Sequence, residues 1–301
     1  MRRWCEARLA LCLAAAVVAA EATPTLTAAY AKEVETARAE RIARLTAPDG
    51  WLTLTGLHFL AAGDNTIGSA RDNAIVFATG PAHLGKVTLA ADGRLRIALS
   101  PAADARVNGR SVLVADLDYG NEGRATVVSC GTLSFFALER GGKRALRVRD
   151  RESVRRTQFR GLDYFPTDPA WRIEARWVAL AEPREISLTN TLGQASPALV
   201  TGRAVFERDG KSFELLPIED GVGGPLFFVI SDLTSGKETY AAARFLYAEP
   251  PVDGKIVLDF NLAQNPPCAF TPFATCPLPP QENRLPLAVT AGEKDYRDGP
   301  E

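Results

Sequence analysis

Residues 86–99, KVTLAADGRLRIAL, decide the fold class. Val87 and Leu89, then Leu95, Ile97 and Leu99, fall on alternate positions, the two-residue period of strands with one buried face, and Ala91-Asp92-Gly93 between them supplies turn chemistry. The same style recurs outward in both directions. Short alternating runs occupy residues 51–60, 74–77, 111–115, 133–139 and 145–149, with Asn108-Gly109 and Gly141-Gly142 as further turns. The second half repeats it at residues 172–180, 185–191, 199–206, 212–216, 226–231, 239–247 and 256–260. Helical patterning is confined to residues 28–45, rich in helix formers, which Pro48-Asp49-Gly50 ends. The expectation is a mostly β protein with one N-terminal helix and then two antiparallel β-sandwich or barrel-like domains. The boundaries are helix and turn at 23–50, a first domain at 51–155 and a second at 156–301, joined near residues 150–165.

The first 22 residues read as an export signal. Arg2 and Arg3 precede an apolar run at residues 9–20, and Ala20-Glu21-Ala22 offers small residues for cleavage. The run is shorter than the ~20 residues a spanning helix needs, and no other stretch is long and apolar enough, so no membrane span is expected in the mature chain. The formal charge of -1 becomes -2 once Arg2, Arg3 and Arg8 leave with Glu6 and Glu21, which gives no field to draw in nucleic acid. Arginine outnumbers lysine 28 to 7, a bias that points to a GC-rich bacterial genome.

Export also governs the cysteines. Cys5 and Cys12 depart with the signal, leaving Cys130 as a buried free thiol and the close pair Cys268 and Cys276 as a disulfide in an oxidising compartment. On the chain-entropy view such a short loop contributes roughly 2.5 kcal/mol. The pair lies in residues 259–284, DFNLAQNPPCAFTPFATCPLPPQENR, too rich in proline for a helix or a central strand.

No complete catalytic, metal or cofactor motif occurs, and no cofactor or metal is expected. With only His58 and His83 and no G-x-S-x-G elbow, the sequence argues against a serine triad. The candidate ligand-binding residues are polar groups near apolar runs. Asp259 and Asn261 are two apart on a strand-like segment and share a face, with Asn265 close behind. Asp232 ends another apolar run, and Tyr240 and Arg244 are placed on one face of a single strand. Converging, they would bind a small polar or anionic ligand, with Arg244 as the fork; paired internally, they would be a buried ion pair with capping amides. Nine cations within residues 140–160 form an arginine strip, read as a solvated face or an electrostatic seam.

Residues 63–76, GDNTIGSARDNAIV, with His83, resemble a forkhead-associated sandwich. Ser69 stands where that fold carries its phosphate-gripping arginine, so phosphopeptide recognition does not follow. A second resemblance rests on Trp51-Leu52-Thr53-Leu54-Thr55-Gly56-Leu57, Leu146-Arg147-Val148-Arg149-Asp150, Phe159 with Gly161, and Asp232 with Thr234-Ser235-Gly236. It continues in Thr239-Tyr240, Arg244-Phe245-Leu246, residues 259–284 and Ala291-Gly292-Glu293-Lys294. Together they resemble the bacterial domain-of-unknown-function family numbered 1684 over nearly the whole mature chain, a likeness that implies relatives and no chemistry. Three roles remain open: an exported ligand-binding protein, a hydrolase or transferase using Asp232 or Asp259 as general base, and an interaction module of the cell envelope presenting Phe270, Phe273 and Leu278.

Overall fold

The computed structural model describes residues 25–120, 123–218 and 224–297. The proposed leader at 1–22, with Cys5 and Cys12, lies outside the described residues. Helix α1 (Ala28–Thr46) opens on Thr27, whose hydroxyl accepts the Tyr30 amide at 3.1 Å and so satisfies one orphan donor of the first turn. Only Val34 and Leu45 of this helix are buried. So narrow an apolar stripe cannot seal a helix against its neighbour, and polar side chains hold it instead. Tyr30 Oη donates to both Asp259 carboxylate oxygens at 2.9 Å, Arg38 Nη2 to the Phe165 carbonyl at 3.2 Å, and Arg41 Nε to Glu293 at 3.0 Å.

A 3-10 turn at Trp51–Thr53 leads into ten strands: β1 (Leu54–Phe59), β2 (Gly63–Gly68), β3 (Ile75–Val76), β4 (Gly85–Leu89), β5 (Leu95–Leu99), β6 (Arg106–Val107), β7 (Val114–Leu117), β8 (Val127–Cys130), β9 (Leu133–Arg140) and β10 (Lys143–Asp150). They form two five-stranded sheets, ordered β1-β10-β9-β8-β6 and β3-β2-β4-β5-β7. Ile67, Val87 and Ile97 from one sheet meet Val128, Phe135 and Val148 from the other in one buried hydrophobic core, the arrangement of a sandwich. The β4–β5 hairpin pairs Leu89 with Leu95 and Gly85 with Leu99; Val87, Leu95 and Ile97 are buried while Arg96 faces water, as the alternation in residues 86–99 demands.

The second half contains β11 (Arg172–Thr189), β12 (Ala195–Arg208), β13 (Lys211–Leu215), β14 (Leu226–Ile230), β15 (Arg244–Ala248) and β16 (Lys255–Asp259). A four-stranded sheet, β13-β12-β11-β16, faces the β14–β15 hairpin. The hairpin is covered on both sides: Phe228, Ile230 and Leu246 enter the core shared with the sheet, while Phe227, Val229 and Phe245 pack against Ala274 and Cys276 of the proline-rich loop. Each fully buried side chain of that kind contributes about 1.5–3 kcal/mol.

Several expectations are corrected by this architecture. Residues 172–180 and 185–191 belong largely to one strand, whose register shifts between Ala179 and Arg184, where Pro183 offers no ladder donor. Residues 239–243 are not strand: β15 starts at Arg244, so Tyr240 shares neither its strand nor its face. The arginine strip divides: Lys143, Arg151 and Arg160 face solvent, while others form a seam. Arg147 is 4% exposed and lies over the Trp51 ring, Arg149 lies over Phe136, and Arg140 Nε reaches Thr275 Oγ1 at 3.0 Å across the seam between the halves. Cys130 is half-buried, its thiol donating to the Ala103 carbonyl at 2.8 Å.

Candidate functional site

The candidate residues fall into three places. Asp232 and Arg244 form a closed pair, Nη2 to Oδ2 at 2.6 Å, with both side chains wholly inaccessible. Arg244 also donates to the carbonyls of Ala291 at 2.5 Å and Val289 at 3.0 Å, while Thr234 donates to the other Asp232 oxygen at 2.6 Å. The charges pair internally and both terminal nitrogens of Arg244 are bonded, leaving only its Nε without an acceptor, so this pair ties β14 and β15 to the 289–291 segment.

Asp259 and Asn261 do not meet Arg244. Their strand ends in a 3-10 turn, where Asp259 accepts the Asn261 amide at 3.1 Å. Asn261 Nδ2 donates to the Asp168 carbonyl at 2.8 Å and to Tyr30 Oη at 2.9 Å. Burial and the bond to Asp259 raise the Tyr30 pKa. Asn265 stands one turn further along, its amide donating to Glu293 Oε2 at 2.7 Å and its Nδ2 to the Lys294 carbonyl at 2.7 Å. Tyr240 lies apart, donating to the Cys268 carbonyl at 3.2 Å.

Cys268 and Cys276 adjoin without a bond between them: both are free thiols, correcting the expected bridge. The Cys268 amide donates to Cys276 Sγ at 3.2 Å. The hydrogen bond from the Cys276 thiol, helped by Thr191, brings the Cys268 pKa down to about 7, and the same bond together with burial raises that of Cys276. Burial, then Asp104, raises the Cys130 pKa. Since the thiolate is the nucleophile, Cys268 is expected to be alkylated by iodoacetamide with half-maximal rate near pH 7, and Cys130 at higher pH. Peptide mapping of a timed reaction across pH checks this, and equal profiles for the two would contradict the assigned hydrogen bond. Of the aromatic trio, Phe270 is buried against Leu45 and Leu52, and Arg155 lies over Phe273.

The space left by the poorly sealed helix is the place where polar groups converge. A cavity of ≈ 160 Å³ opens between α1 and the second half, lined by Arg38, Arg41 and Arg44 on one helix face, by Tyr164, and by Asn261 and Glu293. A bridge between Tyr164 and Glu293, with the Phe165 amide donating to the Gly292 carbonyl at 3.0 Å, fixes its floor. Arg41 spans Glu293 Oε1 and the Asn265 carbonyl. Arg38 stacks 4.2 Å above the Tyr164 ring. Burial raises the Glu293 pKa against the opposing pull of Arg41, and burial together with Glu293 pushes Tyr164 up to about 12. Two donors remain unanswered: Arg38 Nε and Tyr164 Oη are buried and have no hydrogen-bond partner. Sequence reading missed Arg38, Arg41, Tyr164 and Glu293; the available signal was the i, i+3, i+6 row of arginines on α1 and the Ala291-Gly292-Glu293-Lys294 stretch.

Residues 157–294 match the profile of DUF1684, described as a protein of unknown function. The chain belongs to the DUF1684 family. The match starts at Thr157, so the first sandwich and α1 lie outside it, and the expected resemblance over nearly the whole chain is corrected to about half. Within the DUF1684 region fall the Asp232–Arg244 pair, Asp259 to Asn265, and the Glu293 side of the cavity; α1 supplies the cavity's arginines from outside it. An uncharacterized protein of Haloarcula marismortui, solved by solution NMR, is 36% identical, with 46% of this chain and 78% of that chain covered and a TM-score of 0.39. No curated protein matches the chain.

Proposed function

We propose that this DUF1684 protein binds a small organic anion, whose acid group sits in the cavity beneath α1 beside Arg38, Arg41 and Tyr164. The observation that carries this reading is the pair of unpartnered donors, Arg38 Nε and Tyr164 Oη, on a cavity lined by three cations and one carboxylate. A buried donor left unpaired costs about 1–3 kcal/mol, and an anionic acceptor would recover it. At the ~30 Å³ each water occupies in the liquid, ≈ 160 Å³ admits a group the size of a carboxylate or phosphate. Of the residues singled out by sequence, Asn261 lines this cavity, Asp259 lines the adjoining groove, and Asn265 supports Arg41 through its carbonyl.

Residues 1–22, read as an export leader, support a place in the periplasm or beyond. Calorimetric titration with acetate and with inorganic phosphate tests the binding. Acetate is expected to bind the native protein, about tenfold more weakly after Tyr164→Phe and roughly 10- to 100-fold more weakly after Arg38→Met, the scale of one neutral and one charge-assisted hydrogen bond. Unchanged affinity in both folded variants, or no binding of either anion, would sink the proposal.

A further inference from the structure

A second, larger space continues from the anion cavity. It measures ≈ 650 Å³ and runs between the N-terminal half of α1 and the β15–β16 edge, sharing Tyr247 and Leu262 with the smaller cavity. Apolar side chains that face solvent gather along it: Tyr247 is 44% exposed, Leu262 39%, Val257 38% and Val252 70%. Large side chains exposed singly are ordinary, but a contiguous row leading away from a cationic cavity is the signature of a surface awaiting an apolar partner.

The two spaces are also opposite in charge. Three arginines and one glutamate line the smaller, whereas Glu33, Glu174, Glu249 and Asp259 outnumber Arg172 and Lys255 in the larger. A ligand with acid groups at both ends would be repelled from the second space, and a short anion would leave it empty. We infer that the ligand is an amphipathic monoanion, its acid in the Arg38–Tyr164 cavity and an aliphatic tail along Tyr247, Leu262, Val257 and Val252. This rests on the anion reading of the smaller cavity and names the class of molecule it takes. The preference arises from burial: each methylene removed from water by the row favours binding, while the charged end is held by oriented donors that water in the groove cannot replace.

Calorimetric titration with acetate, butanoate, hexanoate and octanoate, each below its micelle concentration, separates the two layers. Affinity is expected to rise about two- to fourfold per added methylene, and Val257→Ser, a change at a partly exposed edge position, is expected to lower that slope. Equal binding of acetate and octanoate overturns the inference while leaving the anion site standing. Failure of every carboxylate, acetate included, overturns the anion reading itself. A slope that Val257→Ser leaves unaltered places the tail elsewhere and overturns the assignment to this groove.

Discussion

Arg244→Met is expected to lower the free energy of unfolding by about 3–5 kcal/mol, the scale of removing one partner from a buried ion pair. Arg244 has no exposed surface, and its removal leaves the Asp232 carboxylate inside the core facing a methionine. The carbonyls of Ala291 and Val289 would lose their donor at the same stroke. These losses fall on the segment that carries Glu293, so the variant is expected to weaken anion binding as well. Denaturant unfolding checks the first effect. A double variant, Asp232→Leu with Arg244→Met, is expected to recover part of the loss, because it removes the stranded charge. An Arg244→Met protein as stable as the native one would show that the pair does not hold the 289–291 segment.

Gly292→Ala is expected to be nearly as damaging, by roughly 2–4 kcal/mol. Gly292 has φ of +82°, a region that side chains rarely adopt, and an added Cβ would stand 2.5 Å from the Ala263 carbonyl oxygen and 2.7 Å from that of Phe260. Both obstacles are backbone, which cannot rotate aside. The chain must shift at the residue before Glu293, and with it move the bond from Arg41 and the bridge to Tyr164. Gly254→Ala supplies the control: it has φ of +74° with open space around it, so only the conformational cost applies, about 1–2 kcal/mol. Thermal or denaturant unfolding of the two variants distinguishes them, and equal losses would mean that the close approach at Gly292 relaxes freely.

What could be read in the sequence follows from the range of the forces involved. Strand alternation is local, so β4, β5, β9 and most of the second-half strands are legible, as is α1. The two-residue strands β3 and β6 are shorter than a period can register, β2 is written in Gly, Asp and Asn, and β8 is only four residues long. β2 forms nonetheless because Asn65 is buried and bonds the Ala61 backbone on both sides. In the candidate site, residues 259–265 announced themselves through irregular backbone and clustered polar side chains. The remainder depends on pairings across great sequence separation. Arg41 meets Glu293, Tyr30 meets Asp259, and Arg244 chooses Asp232 over Asp259, and nothing local selects among the available carboxylates. The gap beneath α1 was least legible of all, since a cavity is set by what fails to pack.

The central claim, that Arg38 and Tyr164 hold unanswered donors for an anion, is tested most directly by following the arginine Nε–Hε resonances in ¹⁵N–¹H spectra while acetate is added. The Arg38 Nε–Hε signal is expected to move saturably with the calorimetric affinity, while that of Arg244, sealed in its pair with Asp232, stays in place. An Arg38 signal unmoved by saturating acetate would contradict the assignment of the cavity as the binding site.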